Sequence, residues 1–294
     1  MSTADRNSVV VGVDGSESAW AALRVAAGVA AKRGLRLKII HALDFAPYGF
    51  GGPYIDSGGV FEWVEASGKS ILQDAEALAR ERKADLEIKT ELSIGSSAQW
   101  LVDLSEQARV IVIGASGVGA ATTALLGNNA VSVTTHAHCP VVVVRGEIRP
   151  EAPVVVGVDG SATSVRAVEV GFQEADLRGV PLVAVHVWSD LGPTAFEDPR
   201  AAALVPRGIE DEEEAVLAEA LAGWQEQFPD VHVERRIYID NPRARLLDWT
   251  EKAQLVVVGS RGRGGFRSML LGSTSNSLIS QANCPVVVVR PESN

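Results

Sequence analysis

At 294 residues, 46% hydrophobic and 22% charged, the sequence has room for two domains of ~150 residues each, and its balance excludes wholesale disorder and collagen-like architecture. The 27 basic and 37 acidic residues give a net charge of −10, which disfavours the sequence-blind attraction that drives binding to nucleic acid and anionic membranes. Cys139 and Cys284 are the only cysteines, too few for a disulfide framework or a four-ligand zinc site, and they read as buried thiols. No run approaches the ~20 apolar residues of a membrane span. The start, Met1 to Arg6, lacks the apolar core of a secretion signal, so a cytoplasmic location is expected.

The elements come in chain order as β-branched runs alternating with amphipathic segments, the pattern of a parallel sheet covered by helices on both faces. The first half predicts strands near 8–13, 36–42, 85–92, 109–113 and 140–145, with helices near 17–33, 61–83, 97–107 and 128–137. The second half repeats the first at an offset of 145 residues. Val9-Val10-Val11-Gly12-Val13-Asp14-Gly15-Ser16 returns as Val154-Val155-Val156-Gly157-Val158-Asp159-Gly160-Ser161. His41 returns as His186, and Gly114, Gly117 and Gly127 as Gly259, Gly262 and Gly272. The run from Cys139 to Arg145 returns as Cys284 to Arg290. Two copies of one domain are therefore expected, at 1–147 and 153–294.

In open parallel sheets ligands bind beyond the carboxyl ends of the strands. After the first strand of each copy stands Asp14-Gly15-Ser16 or Asp159-Gly160-Ser161, which is also ordinary turn and helix-cap chemistry. After the fourth strand of the second copy the signal is sharper. Gly259-Ser260-Arg261-Gly262 is followed nine residues later by Gly272-Ser273-Thr274-Ser275 at a helix start. Glycines admit close backbone approach, and a helix amino terminus offers unpaired N–H groups to an anion. In physical terms this is a phosphate cradle. Residues 150–294 hold 13 basic and 21 acidic side chains, against 14 and 16 in 1–149, yet Arg261, Arg263 and Arg267 crowd into this one loop of the more acidic half. The acidic run Glu210-Asp211-Glu212-Glu213-Glu214 reads as a solvated helix start complementing the dipole.

Gly-x2-Gly-x9-Gly-Ser after a buried strand, with Asp closing the first strand and His41-Ala42 or His186-Val187 closing the second, resembles the universal stress protein family, specifically its ATP-binding branch in tandem form. The resemblance covers essentially the whole chain. It implies two open five-stranded parallel sheets of Rossmann-like or flavodoxin-like type, strand order 3-2-1-4-5. It also implies ATP between the first and fourth strands, with Asp159 on the ribose, Val187 at the adenine edge, and Val258 and Gly259 along the nucleoside. Gly262, Gly272, Ser273 and Ser275 would hold the phosphates; Gly157, Arg261, Arg263 and Thr274 complete the expected site. The first copy's counterparts are Gly12, Asp14, Ala42, Ile113, Gly114, Gly117, Gly127, Asn128 and Asn129.

The first copy departs from the pattern. Asn128-Asn129 replaces the hydroxyls, and Ser116, Val118 and Thr122 stand where the second copy has three arginines. Losing those cations should weaken triphosphate binding by ~1–3 kcal/mol, so the second site is expected to be the stronger.

Other signals are discounted. Gly68-Lys69-Ser70 lacks the upstream glycine of a Walker A loop and lies in a helical pattern. Gly262-Arg263-Gly264-Gly265 is neither repeated nor in a disordered context, so RNA is not expected. His136-Ala137-His138 has too few companions for a metal. The segments Asp44–Gly59 and Trp188–Pro206 could cover the adenine as flaps. Apart from the strand-end aspartates the site loops carry no acid, so no catalytic residue is assigned. A nucleotide-dependent regulator of stress response or growth, binding ATP with or without Mg2+, is the leading expectation. A slow ATPase and a nucleotide-independent scaffold are the alternatives. The fifth strands, Val141–Val144 and Val286–Val289, would be exposed apolar edges unless paired with each other, and the resemblance adds a homodimer.

Overall fold

The computed structural model describes residues 7–43, 60–117, 126–188, 209–239, 241–262 and 270–291. The chain divides into two compact units, Met1–Val144 and Arg145–Asn294.

The first unit runs β1 (Ser8–Gly12), α1 (Glu17–Arg33), β2 (Arg36–Leu43), α2 (Val60–Arg80), β3 (Ile88–Ile94), α3 (Ser97–Leu104), β4 (Val110–Gly114), α4 (Asn128–His136) and β5 (Val141–Val144). Its strands are parallel and ordered β3-β2-β1-β4-β5. Val9, Val10 and Val11 are all within 1% of complete burial. Successive strand residues point to opposite faces, so both faces of the sheet are covered, and each fully buried side chain of this size is worth ~1.5–3 kcal/mol. Helices α1 and α2 pack on each other, as do α3 and α4.

Local chemistry sets the boundaries. Ser16 caps α1 by accepting the Ala19 N–H at 3.2 Å, and Gly34, at φ 62°, ends it in the left-handed conformation that glycine adopts without strain. The third strand starts at Ile88, later than the expected 85. The Leu86 N–H bonds back to the Lys83 carbonyl at 3.1 Å and so closes a turn first.

The second unit repeats the plan with β6 (Val154–Val158), α5 (Ala162–Arg178), β7 (Leu182–Val187), α6 (Ile209–Leu221), α7 (Trp224–Gln227), β8 (Val233–Tyr238), α8 (Pro242–Thr250), β9 (Leu255–Gly259), α9 (Ser273–Gln281) and β10 (Val286–Val289). The parallel order is β8-β7-β6-β9-β10, again 3-2-1-4-5 counted within the unit. Val154, Val155 and Val156 are fully buried, and Phe172 of α5 stacks at 6.2 Å on Trp224 and 5.8 Å on Phe228. In both units the order reverses between the first and fourth strands, which places the crevice beyond β1/β4 and beyond β6/β9. Among the described residues no helix is long and apolar enough to cross a membrane.

Candidate functional site

At the end of β6 the chain turns through Gly160, φ 74°, and Asp159 Oδ1 accepts the Ser161 N–H at 3.0 Å. Asp14 does the same at the end of β1, accepting from the Ser16 N–H at 3.0 Å and the Ser16 hydroxyl at 2.6 Å. The aspartates thus serve the turn and cap with one oxygen. The second oxygen faces the fourth-strand loop: a Cβ on Gly117 would stand 2.8 Å from Asp14 Oδ2, and one on Gly262 would overlap Asp159 Oδ2.

Beyond β9, the Gly272 N–H bonds to the Ser260 carbonyl at 2.7 Å and brings the end of the loop back to its start. Gly272 caps α9 without any side-chain hydrogen bond, and the first intrahelical bond runs from the Asn276 N–H to the Gly272 carbonyl at 2.9 Å. The N–H groups of Ser273, Thr274 and Ser275 consequently have no acceptor within the helix, and they meet the positive end of its dipole. Gly127 and α4 repeat this arrangement in the first unit, with the Gly127 N–H on the Ala115 carbonyl at 2.8 Å.

In the second unit these parts enclose a cleft of about 490 Å³, within the ~300–1,000 Å³ of small-molecule sites. Gly157, Asp159 and Val187 line one side. Val258, Gly259, Arg261 and Gly262 line the other, with Gly272, Ser273, Thr274 and Ser275 at the helix end. The structure therefore brings eleven residues of the expected second site to one cleft. Arg263 and Arg267 lie outside the described residues, as do Val118, Thr122 and both flap segments except Trp188, which lines the cleft. Arg290, just past β10, does not line the cleft; burial first, and then the positive charge of Arg261, hold its guanidinium below the usual arginine range.

Four sequence readings change. Two of the expected site glycines, Gly259 and Gly157, are closely packed by the protein itself. A Cβ on Gly259 would lie 2.8 Å from Thr163 Oγ1 and 3.1 Å from the Thr163 carbonyl carbon, and one on Gly157 would lie 3.2 Å from Leu246 and from Val258. The Ser275 hydroxyl donates its only proton to the Gly259 carbonyl at 2.6 Å, which ties α9 to the end of β9 and leaves the backbone N–H as its group for a ligand. The Asn129 amide donates to Ser97 at 2.9 Å and so braces α4 against α3. Glu213, in the acidic run expected to be solvated, is only 8% exposed and contacts His186.

The sequence reading missed Asn241, Pro242, Arg243 and Leu246, which line the cleft from the cap and first two turns of α8. The signal was present: Asn241 caps α8, with Pro242 in its first turn, immediately after the third strand of the copy. Gly68-Lys69-Ser70 sits inside α2, where Lys69 pairs with Glu65 at 2.5 Å. His136 Nδ1 contacts the Ser132 carbonyl at 2.9 Å within its own helix.

A mononucleotide suits this donor set. The open amides and Arg261 would take phosphate, the Asp159 carboxylate a pair of hydroxyls, and the apolar Val187, Trp188 and Leu246 a base. Asp159 is the one carboxylate among the described lining residues. Mg2+ bound there would rest mainly on the ligand's own phosphates.

An open parallel sheet in each half, with a helix amino terminus at its switch point, defines an open α/β protein of the doubly wound kind. The model of the universal stress protein family matches residues 6–145 and 152–290, and the chain belongs to that family. It is 41% identical over 299 residues to the universal stress protein Rv1996 of Mycobacterium tuberculosis, covering 96% of this chain and 94% of that one. A universal stress protein of Mycolicibacterium smegmatis is 39% identical over 293 residues, covering 96% and 97%. Among solved structures, a universal stress protein from Archaeoglobus fulgidus matches 97% of this chain and 98% of its own with a TM-score of 0.73 at 21% identity, a likeness of fold.

Proposed function

We propose that the chain is an ATP-binding regulator whose second unit holds the stronger site. One observation carries this reading: Ser273, Thr274 and Ser275, whose N–H groups have no acceptor within α9, line the same cleft as Arg261 and Asp159. Phosphates would lie at Ser273 and Thr274, the ribose on Asp159 and the adenine against Val187 and Trp188. Occupancy would order the strand-end surface and so alter association with partners during stress or growth control. The protein acts from the cytoplasm as a binder: the one carboxylate among the described lining residues, already committed through Oδ1 to the Ser161 N–H, is a poor basis for phosphoryl hydrolysis, which needs a placed base and metal-holding groups.

The first unit offers the same amides but has Ser116 where the second has Arg261, and an Asn129 side chain already engaged by Ser97. Heat-denaturing purified protein and weighing the released nucleotide by mass spectrometry tests the reading. One adenine nucleotide per chain is expected, and two would show that the first unit also retains ligand. None, together with no binding of added ATP, overturns it.

A further inference from the structure

His186 is the last residue but one of β7, 1% exposed, and both its ring nitrogens are engaged. Nδ1 lies 2.7 Å from the Val158 carbonyl and Nε2 lies 2.6 Å from Glu213 Oε2. A carbonyl only accepts, so Nδ1 donates, and the contact between Nε2 and Oε2 holds one shared proton. Glu213 comes from α6 and does not line the cleft, whereas His186 and Val158 do. The relay ends on the peptide that joins Val158 to Asp159, and it starts from the residue preceding Val187.

Among the described residues the first unit shows no counterpart of this relay. His41 Nδ1 donates to the Val13 carbonyl at the same 2.7 Å, but the residue 145 positions before Glu213 is Gly68. A Cβ there would stand 2.9 Å from His41 Cδ2, Leu43 Cδ2 and Leu92 Cδ1. Helix α2 is thus pressed onto the ring at a point where α6 has room for a carboxylate.

We infer that Glu213 is a positioning residue for the nucleotide site of the second unit. Through His186 it fixes the ring and the Val158 carbonyl, and so sets the Asp159 carboxylate and the Val187 backbone before ligand arrives. Such preorganisation removes an ordering cost from binding. It is a second source of inequality between the two sites, separate from the arginines. A buried glutamate retained in an apolar wall between helix and sheet is costly unless its contact is kept, and the contact it keeps leads to the cleft.

The inference rests on the nucleotide reading above, and the test separates the two. The full chain, labelled with 15N, is titrated with ATP while the amides of Gly262 and Ser273 report the second site and those of Gly117 and Asn128 the first. Glu213→Ala should weaken binding at Gly262 and Ser273 about tenfold, leave Gly117 and Asn128 unchanged, and let a protected His186 Nδ1–H signal exchange with water. Glu213→Gln, whose amide can donate to Nε2, should recover affinity to within about threefold of the parent. Unchanged affinity in Glu213→Ala, an unchanged His186 signal, or a glutamine variant as weak as the alanine one overturns the inference. If the alanine chain fails to fold, the glutamine variant decides alone: parental affinity with the His186 signal retained supports the relay, and tenfold weakening with that signal retained overturns it. No ATP shift at Gly262 in the parent overturns the nucleotide reading, and this inference with it.

Discussion

Gly262 lies directly over Asp159, so close that a Cβ at the glycine would overlap Oδ2 of the carboxylate. Gly262, at the start of the fourth-strand loop, therefore lies against the first-strand acid. Gly262 is exposed and carries no left-handed φ, so alanine is tolerated by the backbone and the strain falls on the Asp159 side chain. Gly262→Ala should leave the melting temperature nearly unchanged and weaken ATP binding at the second unit by about 1–2 kcal/mol, roughly five- to thirtyfold. Combined with Arg261→Glu, it should abolish high-affinity binding. Titration calorimetry showing parental affinity in the double variant would refute the assignment.

Much of this site was legible because the duplication printed it twice. The matching strand-end residues Asp14/Asp159, Gly117/Gly262 and Gly127/Gly272 located the crevice, and continuous valine-rich runs alternating with amphipathic segments gave the parallel sheet. Long-range packing was not legible. That Gly259 is needed by Thr163, or that Ser275 spends its proton on a strand carbonyl, depends on distances set by tertiary structure. Glu213 misled for the same reason: helix α6 turns one carboxylate of an acidic run inward, and composition does not say which. Asn241-Pro242, a cap and first-turn pair just past the third strand of the copy, is legible by the same strand-end rule as the other site residues.

Gly259 provides a test of packing apart from binding. A methyl there meets Thr163 Oγ1 at 2.8 Å, Cβ at 2.9 Å and the backbone carbonyl carbon at 3.1 Å, and the backbone atom has no rotamer by which to yield. Gly259→Ala should cost about 1–3 kcal/mol. Thr163→Gly in the same chain should recover only part, since the carbonyl carbon remains. Urea denaturation measures both; a Gly259→Ala chain as stable as the parent would show that α5 can shift away freely.

Cys284 is fully buried, and burial pushes its thiol up to about 12, with the nearby Arg149 charge opposing only in part. A thiol so placed stays protonated at physiological pH and is a poor nucleophile. Cys139 is likewise buried, 2% exposed. Neither should react with a water-soluble disulfide reagent at pH 8 until the chain is unfolded, and then both should. Rapid labelling of one thiol in the native protein would disprove the burial of that cysteine.

Glu91 on β3 pairs with Lys38 of β2 at 2.8 Å and with Lys89 of its own strand at 2.7 Å. Partial burial alone would raise its pKa, but hydrogen bonds and charge from the two lysines outweigh it and hold the carboxyl below the usual carboxylate range. A folded value below the unfolded one means the unfolded chain binds the proton first on acidification. The contribution is complete above about pH 4.3, the unfolded value, and disappears as pH falls through the folded one. The ion pairs face solvent in part, so screening limits them to at most about 1 kcal/mol. Glu91→Gln should therefore be less stable than the parent by up to that amount at pH 7 and equal to it near pH 3, measured by urea denaturation at both. A deficit that persists unchanged at the lower pH would mean that Glu91 acts through packing and not through its charge.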